Sequence, residues 1–464
     1  MSILRIGAVT ALGAAIAVGA HGAYDVNQHS GNVHGIDEAP YFTVGMEKRS
    51  WQELSASGKL VLGIVGATLT DTPESSAPLM PQPNTPENNS AQATGGTGEK
   101  NCGSWLKHPE AAEKLRNSLA ATVKSSVLDP RLAPGAAVVA GCGENQIVSV
   151  GFGSTRYEGG KPIDPGVTKY DLSSLSKPFT AAAIVRAVEA GKLQLDDPVG
   201  RFIPEYGVGN KATVTMRQLL GHRAGLKDVR YASIIGSSPN PQAVQKKVLS
   251  QPLKETPGKT YAYSNVGFSV AWAVGGKAVG GSLEGVITQN IFQPLGMKNS
   301  TYHPQADCAP TSSDYNQKEE LNCVQQDSLA RGLGGASGHA GVFSTAEDAG
   351  KFAAMLANRG TYKGQVLLNA PSVAALTTAS TDKKSYALGF RTNANRSYSS
   401  IMSPQTFGHT GHNGVIMMVD PETDMWAVLL TNSTFEQAPP DDKKNRAYAA
   451  VCDTVGRAFL ELSP

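Results

Sequence analysis

The chain is poor in charge. Lysine, arginine, aspartate and glutamate make up 17% of its 464 residues, below the usual share of about 25%. The signs nearly cancel, with 41 basic against 39 acidic residues and a net charge of +2. That balance offers no strongly basic face for nucleic acid. Cysteine is scarce too: five residues cannot make a disulfide-stapled miniprotein. There is no Gly-x-Ser-x-Gly elbow, no phosphate-binding P-loop and no Gly-x-Gly-x-x-Gly, so several large enzyme classes lack their signatures. What the chain does have is 40% hydrophobic residues, enough to bury a sizeable core, and 50 glycines. Glycine at about 11% exceeds the usual ~7% without any collagen-like period. Length alone suggests about three domains.

The N-terminal residues read as a targeting segment. Arg5 precedes an uncharged run from Ile6 to Ala20 that ends in Val18-Gly19-Ala20. Residues 1–23 thus resemble an export signal, and the run is too short and Gly-rich for a membrane span. A second candidate covers residues 46–67, where Lys48, Arg49 and Lys59 precede Leu60 to Ala67. Asp71 to Lys100 holds Pro73, Pro78, Pro81, Pro83 and Pro86 among Asn, Ser, Gln, Thr and Gly. Such a composition cannot bury enough apolar surface to offset its ordering entropy. Residues 24–104 therefore read as leader and linker, and residues 105–464 as the folded domain.

Within that domain, apolar spacing predicts a helix over Glu110 to Val127. Two β-like runs, Ala136–Ala140 and Gln146–Val150, predict a hairpin. Helices follow over Pro178 to Ala190, from Thr215, over Val266 to Val279 and over Thr345 to Asn358. The last should start with a Ser344-x-x-Glu347 capping box. Val415–Val419 and Trp426–Thr431 predict a second hairpin, and Asn445 to Leu462 a closing helix. Strands at both ends around a helical middle imply an α+β architecture in two lobes, with a site between them.

Ser174-Leu175-Ser176-Lys177 matches a catalytic S-x-x-K pattern. Ser104…Lys107 and Ser380…Lys383 match as well, but only Ser174 opens a strong helix. Residues i and i+3 share a helix face, so Lys177 can reach Ser174. A serine needs a base to become a nucleophile. A helix N-terminus and partial burial both disfavour the lysine ammonium, which leaves a neutral Lys177 as the base. Tyr263-Ser264-Asn265 adds a phenol able to relay a proton and an amide able to bond both lysine and substrate. His409-Thr410-Gly411 precedes the last hairpin, where a strand edge can pair with an extended substrate. Gly411 admits close approach, and the His412 amide is the candidate for a second oxyanion donor beside that of Ser174. His409 and His412 lack the carboxylate or cysteine partners that a metal site wants, so no metal is expected. His339 and His222 read as structural turn histidines.

In this order the three motifs resemble those of the β-lactamase-related serine hydrolases: class C β-lactamases, D-alanyl-D-alanine peptidases and related esterases. The likeness runs from about residue 105 to the end. It includes Thr213 to His222, Pro294-Leu295-Gly296-Met297, Gly338 to Thr345 and Leu429-Leu430-Thr431-Asn432. The resemblance implies a β-lactamase/transpeptidase-like α+β fold, an antiparallel sheet flanked by N- and C-terminal helices with an inserted, mostly helical lobe. It implies Ser174 as the acylated nucleophile and Lys177 with Tyr263 as the proton-transfer pair. Asn265, His409, Thr410, Gly411 and His412 would bind substrate, and no cofactor is implied. One departure is His409, where class C β-lactamases carry lysine. A largely neutral imidazole should bind an anionic carboxylate less well, which favours D-amino-acid peptides or small esters over β-lactams. The other class of function on such a fold is a non-catalytic penicillin-binding or wall-sensing protein. Expected partners are a small-molecule or peptide substrate, cell-wall-derived in the envelope, with no nucleic acid and with membrane contact only through the N-terminal segment. In an exported chain Cys308 and Cys323 are close enough to bridge, Cys452 could face Cys142 or Cys102, and at least one cysteine is left over.

Overall fold

The computed structural model describes residues 102–462 apart from 104, 106–107, 230, 237–239, 315–317, 381–384 and 438. Upstream it describes four short strands, Ile16–Ala17 paired with Ala23–Tyr24 and Phe42–Val44 paired with Glu47–Arg49. The chain divides into two units, Met1–Ser76 and Ala77–Pro464. The signal readings over residues 1–23 and 46–67 lie almost wholly outside the described residues, and the linker over 71–100 entirely so. Of the alternative S-x-x-K matches, Ser104, Lys107 and Lys383 also lie outside them.

The second unit begins with helix α1 (Pro109–Val123), with proline in its first turn, where no N–H is needed. Strands β1 (Gly135–Cys142) and β2 (Asn145–Gly153) form the first hairpin. After a short strand β3 (Tyr170–Asp171) come α2 (Lys177–Glu189), α3 (Met216–Leu220) and α4 (Asn265–Val279). Strand β4 (Phe343–Ser344) pairs with β3 and leads into α5 (Ala346–Ala357). The C-terminal part holds β5 (Arg391–Thr392), β6 (Phe407–Gly411), β7 (Val415–Val419), β8 (Met425–Thr431) and α6 (Asp441–Leu462). The main sheet is antiparallel with order β5-β6-β7-β8-β1-β2. Val428 pairs with Val139 where the first and last hairpins meet.

Every residue of β1, β7 and β8 is buried, because both faces of the sheet are covered. Side chains alternate between two cores, as a period of two requires. Val138, Ala140, Ile416, Met418 and Leu429 face α1 and α6, packing with Leu115, Leu119, Val451 and Val455. Val139, Met417, Val428 and Leu430 face the opposite way, toward Phe352 of α5 and Phe179 of α2. Phe179 stacks on Phe352 with centroids 4.2 Å apart, which ties the helical lobe to the sheet.

The predicted helices and hairpins are present, with one shift. The α5 cap is Thr345, whose side chain accepts from Asp348 N–H. Ser344 belongs to β4, and its hydroxyl bonds Ser300 instead. Two disulfides join Cys102 to Cys142 and Cys308 to Cys323, while Cys452 is free and buried in α6. Among the described residues, no helix is long and apolar enough to cross a membrane.

Candidate active site

Ser174 lies in a single 3₁₀ turn, Ser173–Ser176, that runs directly into α2. The chain enters this turn through Ser173, whose φ of 47° is left-handed, a conformation that a residue with a Cβ adopts at a cost. Lys177 opens α2 and is fully buried. Its Nζ lies 2.9 Å from Ser174 Oγ, 2.8 Å from Asn265 Oδ1 and 3.0 Å from the His339 carbonyl oxygen.

That partner set fixes the amine's role when it is neutral. A carbonyl oxygen and an amide oxygen can only accept. The two N–H bonds of a neutral Lys177 are therefore committed to Asn265 and His339, and its lone pair is left facing the Ser174 hydroxyl. Burial, helped by the Arg391 charge, pushes the Lys177 ammonium down to about 7, against the opposing pull of Asp228 and Asp327. A neutral amine is thus accessible near physiological pH.

Tyr263 stands over the same lysine, with Nζ 4.8 Å from its ring centroid and its hydroxyl hydrogen-bonded to Ser174. Burial pushes the phenol up to about 12, although Arg391 and the Ser174 bond oppose the rise. The phenol keeps its proton at neutral pH and can donate it. His222 packs on the Tyr263 ring with centroids 4.4 Å apart, and its Nδ1 accepts the Ser264 N–H at 3.0 Å. Asn265 begins α4, where Asp228 accepts the N–H groups of Asn265 and Val266. The Asn265 side chain also donates to Tyr231 Oη at 2.6 Å.

His339 is fully buried. Its Nε2 lies 2.9 Å from Asp327 Oδ1, and its Nδ1 lies 2.9 Å from Ser269 Oγ. The structural role expected for this histidine therefore has a specific content: its ring is clamped at both nitrogens, so its carbonyl is held on Lys177.

Strand β6 places its residues differently from expectation. Thr410, Gly411 and His412 line a pocket of about 490 Å³ with Ser174, Tyr263 and Asn265. The His409 side chain does not line it. At 1% exposure, the imidazole is packed beneath the pocket on the sheet face it shares with Met417, 6.3 Å from the Tyr263 ring, with Nδ1 2.6 Å from the Thr410 carbonyl oxygen. Burial first, then the charges of Arg391 and Lys177, holds it well below the usual imidazole range. It therefore stays neutral at physiological pH. Register sets its direction: His409 pairs with Met417 on the face turned toward α2, whereas Thr410 pairs with Ile416 on the face toward α6, whose Asn445 and Tyr448 also line the pocket. Gly411 is required by the protein itself. A Cβ there would sit 2.3 Å from the Leu172 carbonyl oxygen, so glycine lets the strand approach the nucleophile turn as well as any ligand.

Arg391 has no counterpart in the sequence reading. Strand β5 is only two residues long, too short for an apolar pattern, and pairs Arg391 with Gly408. The guanidinium lines the pocket, 5.5 Å from the Tyr263 ring centroid, and donates to Tyr398 Oη at 2.9 Å. The expectation of weak carboxylate binding rested on His409 alone. Two cations line the pocket: Arg391 from the neighbouring strand, and Lys444 of α6, which donates to the His412 carbonyl at 3.1 Å and pairs with Asp441.

An S-x-x-K serine at the head of α2, beside an antiparallel sheet, defines a serine hydrolase. A family model described as Beta-lactamase matches residues 125–451, and the chain belongs to that family. A protein of Escherichia coli strain K12, provisionally named a D-alanyl-D-alanine carboxypeptidase, is 27% identical over 344 residues, covering 65% of this chain and 79% of its own. A Salmonella agona protein of the same name is 27% identical over 299 residues, covering 57% and 69%. Among solved structures, a hydrolase with promiscuous acyltransferase activity has a TM-score of 0.62 at 22% identity, over 74% of this chain and 99% of its own. A class C β-lactamase in complex with cefoxitin has a TM-score of 0.60 at 18% identity, over 74% and 99%. Both structures share the fold.

Proposed function

We propose that the protein cleaves short peptides ending in a free carboxylate, of the D-alanyl-D-alanine type, through an acyl-enzyme on Ser174. The contact that carries this reading is Lys177 Nζ at 2.9 Å from Ser174 Oγ, with its other partners restricted to acceptors. Lys177 takes the hydroxyl proton as Ser174 attacks the scissile carbonyl. The backbone N–H groups of Ser174 and His412 receive the oxyanion. Tyr263 passes a proton to the leaving amine. Water then attacks the ester, and the proton path reverses to regenerate Ser174. Asn265 positions Lys177 and the substrate amide, and Arg391 receives the terminal carboxylate. The peptide preference draws support from the names of the curated relatives and from Arg391.

Residues 105–464 constitute the catalytic domain in this reading, extended to Cys102 by its disulfide. Two disulfides favour an exported, oxidising location, which places a cell-wall-derived peptide within reach. The test is a panel of D-alanyl-D-alanine peptide, short-chain nitrophenyl ester and nitrocefin, run with wild type and Ser174→Ala. Turnover of peptide or ester that vanishes in the variant is expected. Full activity in Ser174→Ala refutes the nucleophile. Stable penicillin labelling without turnover of anything would instead make the protein a sensor.

A further inference from the structure

Asp171 is fully buried three residues before the nucleophile, and no catalytic step above uses it. Its two carboxylate oxygens are divided between two walls of the pocket. Oδ1 accepts the Ser173 N–H at 2.8 Å, and Oδ2 accepts the Gln326 N–H at 2.7 Å. The first bond holds the left-handed residue on which the Ser174 turn depends. The second holds the segment whose next residue, Asp327, clamps His339 and so fixes the carbonyl on Lys177. The Asp171 backbone oxygen also accepts from Asn413 Nδ2 at 3.1 Å, next to the His412 amide.

Resting on the Ser174–Lys177 reading, we infer that Asp171 is a positioning residue, whose carboxylate must bridge Ser173 and Gln326 for nucleophile and base to be aligned. Only the ionised carboxylate accepts at both oxygens without restriction. A protonated one must turn a hydroxyl toward one of two N–H donors, and an asparagine must turn an amide there. Burial pushes this carboxyl up to about 6, with Asp327 adding to the rise and the N–H groups of Gln326 and Ser173 opposing it. The titratable and charged groups around it are Asp327 beside Gln326, His339 behind Asp327, Arg331 on the Gln325 and Gln326 carbonyls, and Lys177 on α2.

Two groups must then lose a proton for reaction, Asp171 and Lys177. The readout is the rate at which a fluorophosphonate labels Ser174, followed by mass spectrometry from pH 5 to 9, with circular dichroism confirming the fold at each pH. In wild type the logarithm of the rate should fall with unit slope below pH 7 and steepen toward a slope of two below pH 6. In Asp171→Asn the slope should stay near one throughout. Its rate at pH 8 should drop by about ten- to hundredfold, the range for loss of a hydrogen bond to a charged group. Its melting temperature can fall with the lost hydrogen bond, so the slope separates the roles: a merely structural residue would lower the rate without contributing a second proton to the pH profile. Wild-type labelling by the variant, or a wild-type limb of unit slope down to pH 5, overturns the inference. Should Asp171→Asn not fold, the wild-type slope decides alone. Absence of any label on Ser174 would instead defeat the underlying mechanism.

Discussion

Arg391→Met removes a charge from the pocket while keeping an unbranched side chain of similar reach. The guanidinium lines the pocket with Ser174 and Tyr263. A hydrogen bond to a charged group contributes about 1.5–3 kcal/mol. At 1.4 kcal/mol per factor of ten, kcat/KM for a D-alanyl-D-alanine peptide should fall about ten- to 150-fold. An uncharged ester of the same acyl group has no carboxylate to lose and should change by no more than about threefold once a second effect is removed. That effect is on the base. The Arg391 charge helps hold Lys177 down, so its loss raises the lysine and moves the acid limb of activity to higher pH. Both substrates share this shift, and it disappears on the alkaline plateau near pH 9. The assay is therefore the peptide-to-ester ratio of kcat/KM for both proteins at pH 9, with a thermal melt to confirm folding. An equal fall on peptide and ester would refute the argument and leave Arg391 as a support for Tyr263 alone.

Three further outcomes follow from the same geometry. Because the Lys177 ammonium titrates near 7 and only the neutral amine accepts the serine proton, activity should rise as pH increases through 7. Lys177→Arg, permanently protonated, should lose about a hundred- to ten-thousandfold in Ser174 labelling, the usual span for a general base; retention of a tenth of the wild-type rate would contradict this. Gly411→Ala places a Cβ 2.3 Å from the Leu172 carbonyl oxygen and 2.5 Å from Val415 Cγ2. Overpacking of this kind costs about 1–3 kcal/mol, so both melting temperature and labelling rate should fall, and an unchanged labelling rate would show that the strand does not have to approach the turn so closely.

The motif residues were legible because their chemistry is local. Ser174 and Lys177 are three residues apart at the start of one helix, so helix geometry alone brings Nζ to Oγ. The hairpins and the long helices announced themselves through apolar period, since each buries a continuous face. The glycine surplus was legible as a sign of tight packing, and Gly411 shows one such place, with the strand pressed on the Leu172 carbonyl.

What the sequence could not show depends on residues far apart in the chain. The burial of the His409 side chain was hidden until strand register placed it on the face shared with Met417, beside Tyr263 but not among the pocket-lining residues. Arg391 was invisible because a two-residue strand has no pattern, yet pairing with Gly408 sets its charge beside Tyr263. The depressed lysine and the Asp171 bridge arise from desolvation and from partners as distant as Asn265, Gln326 and His339. Local spacing determined which groups could react; only tertiary packing decided their protonation, their alignment and the charge that awaits the substrate, because dielectric and hydrogen-bond partners belong to the folded environment rather than to any segment.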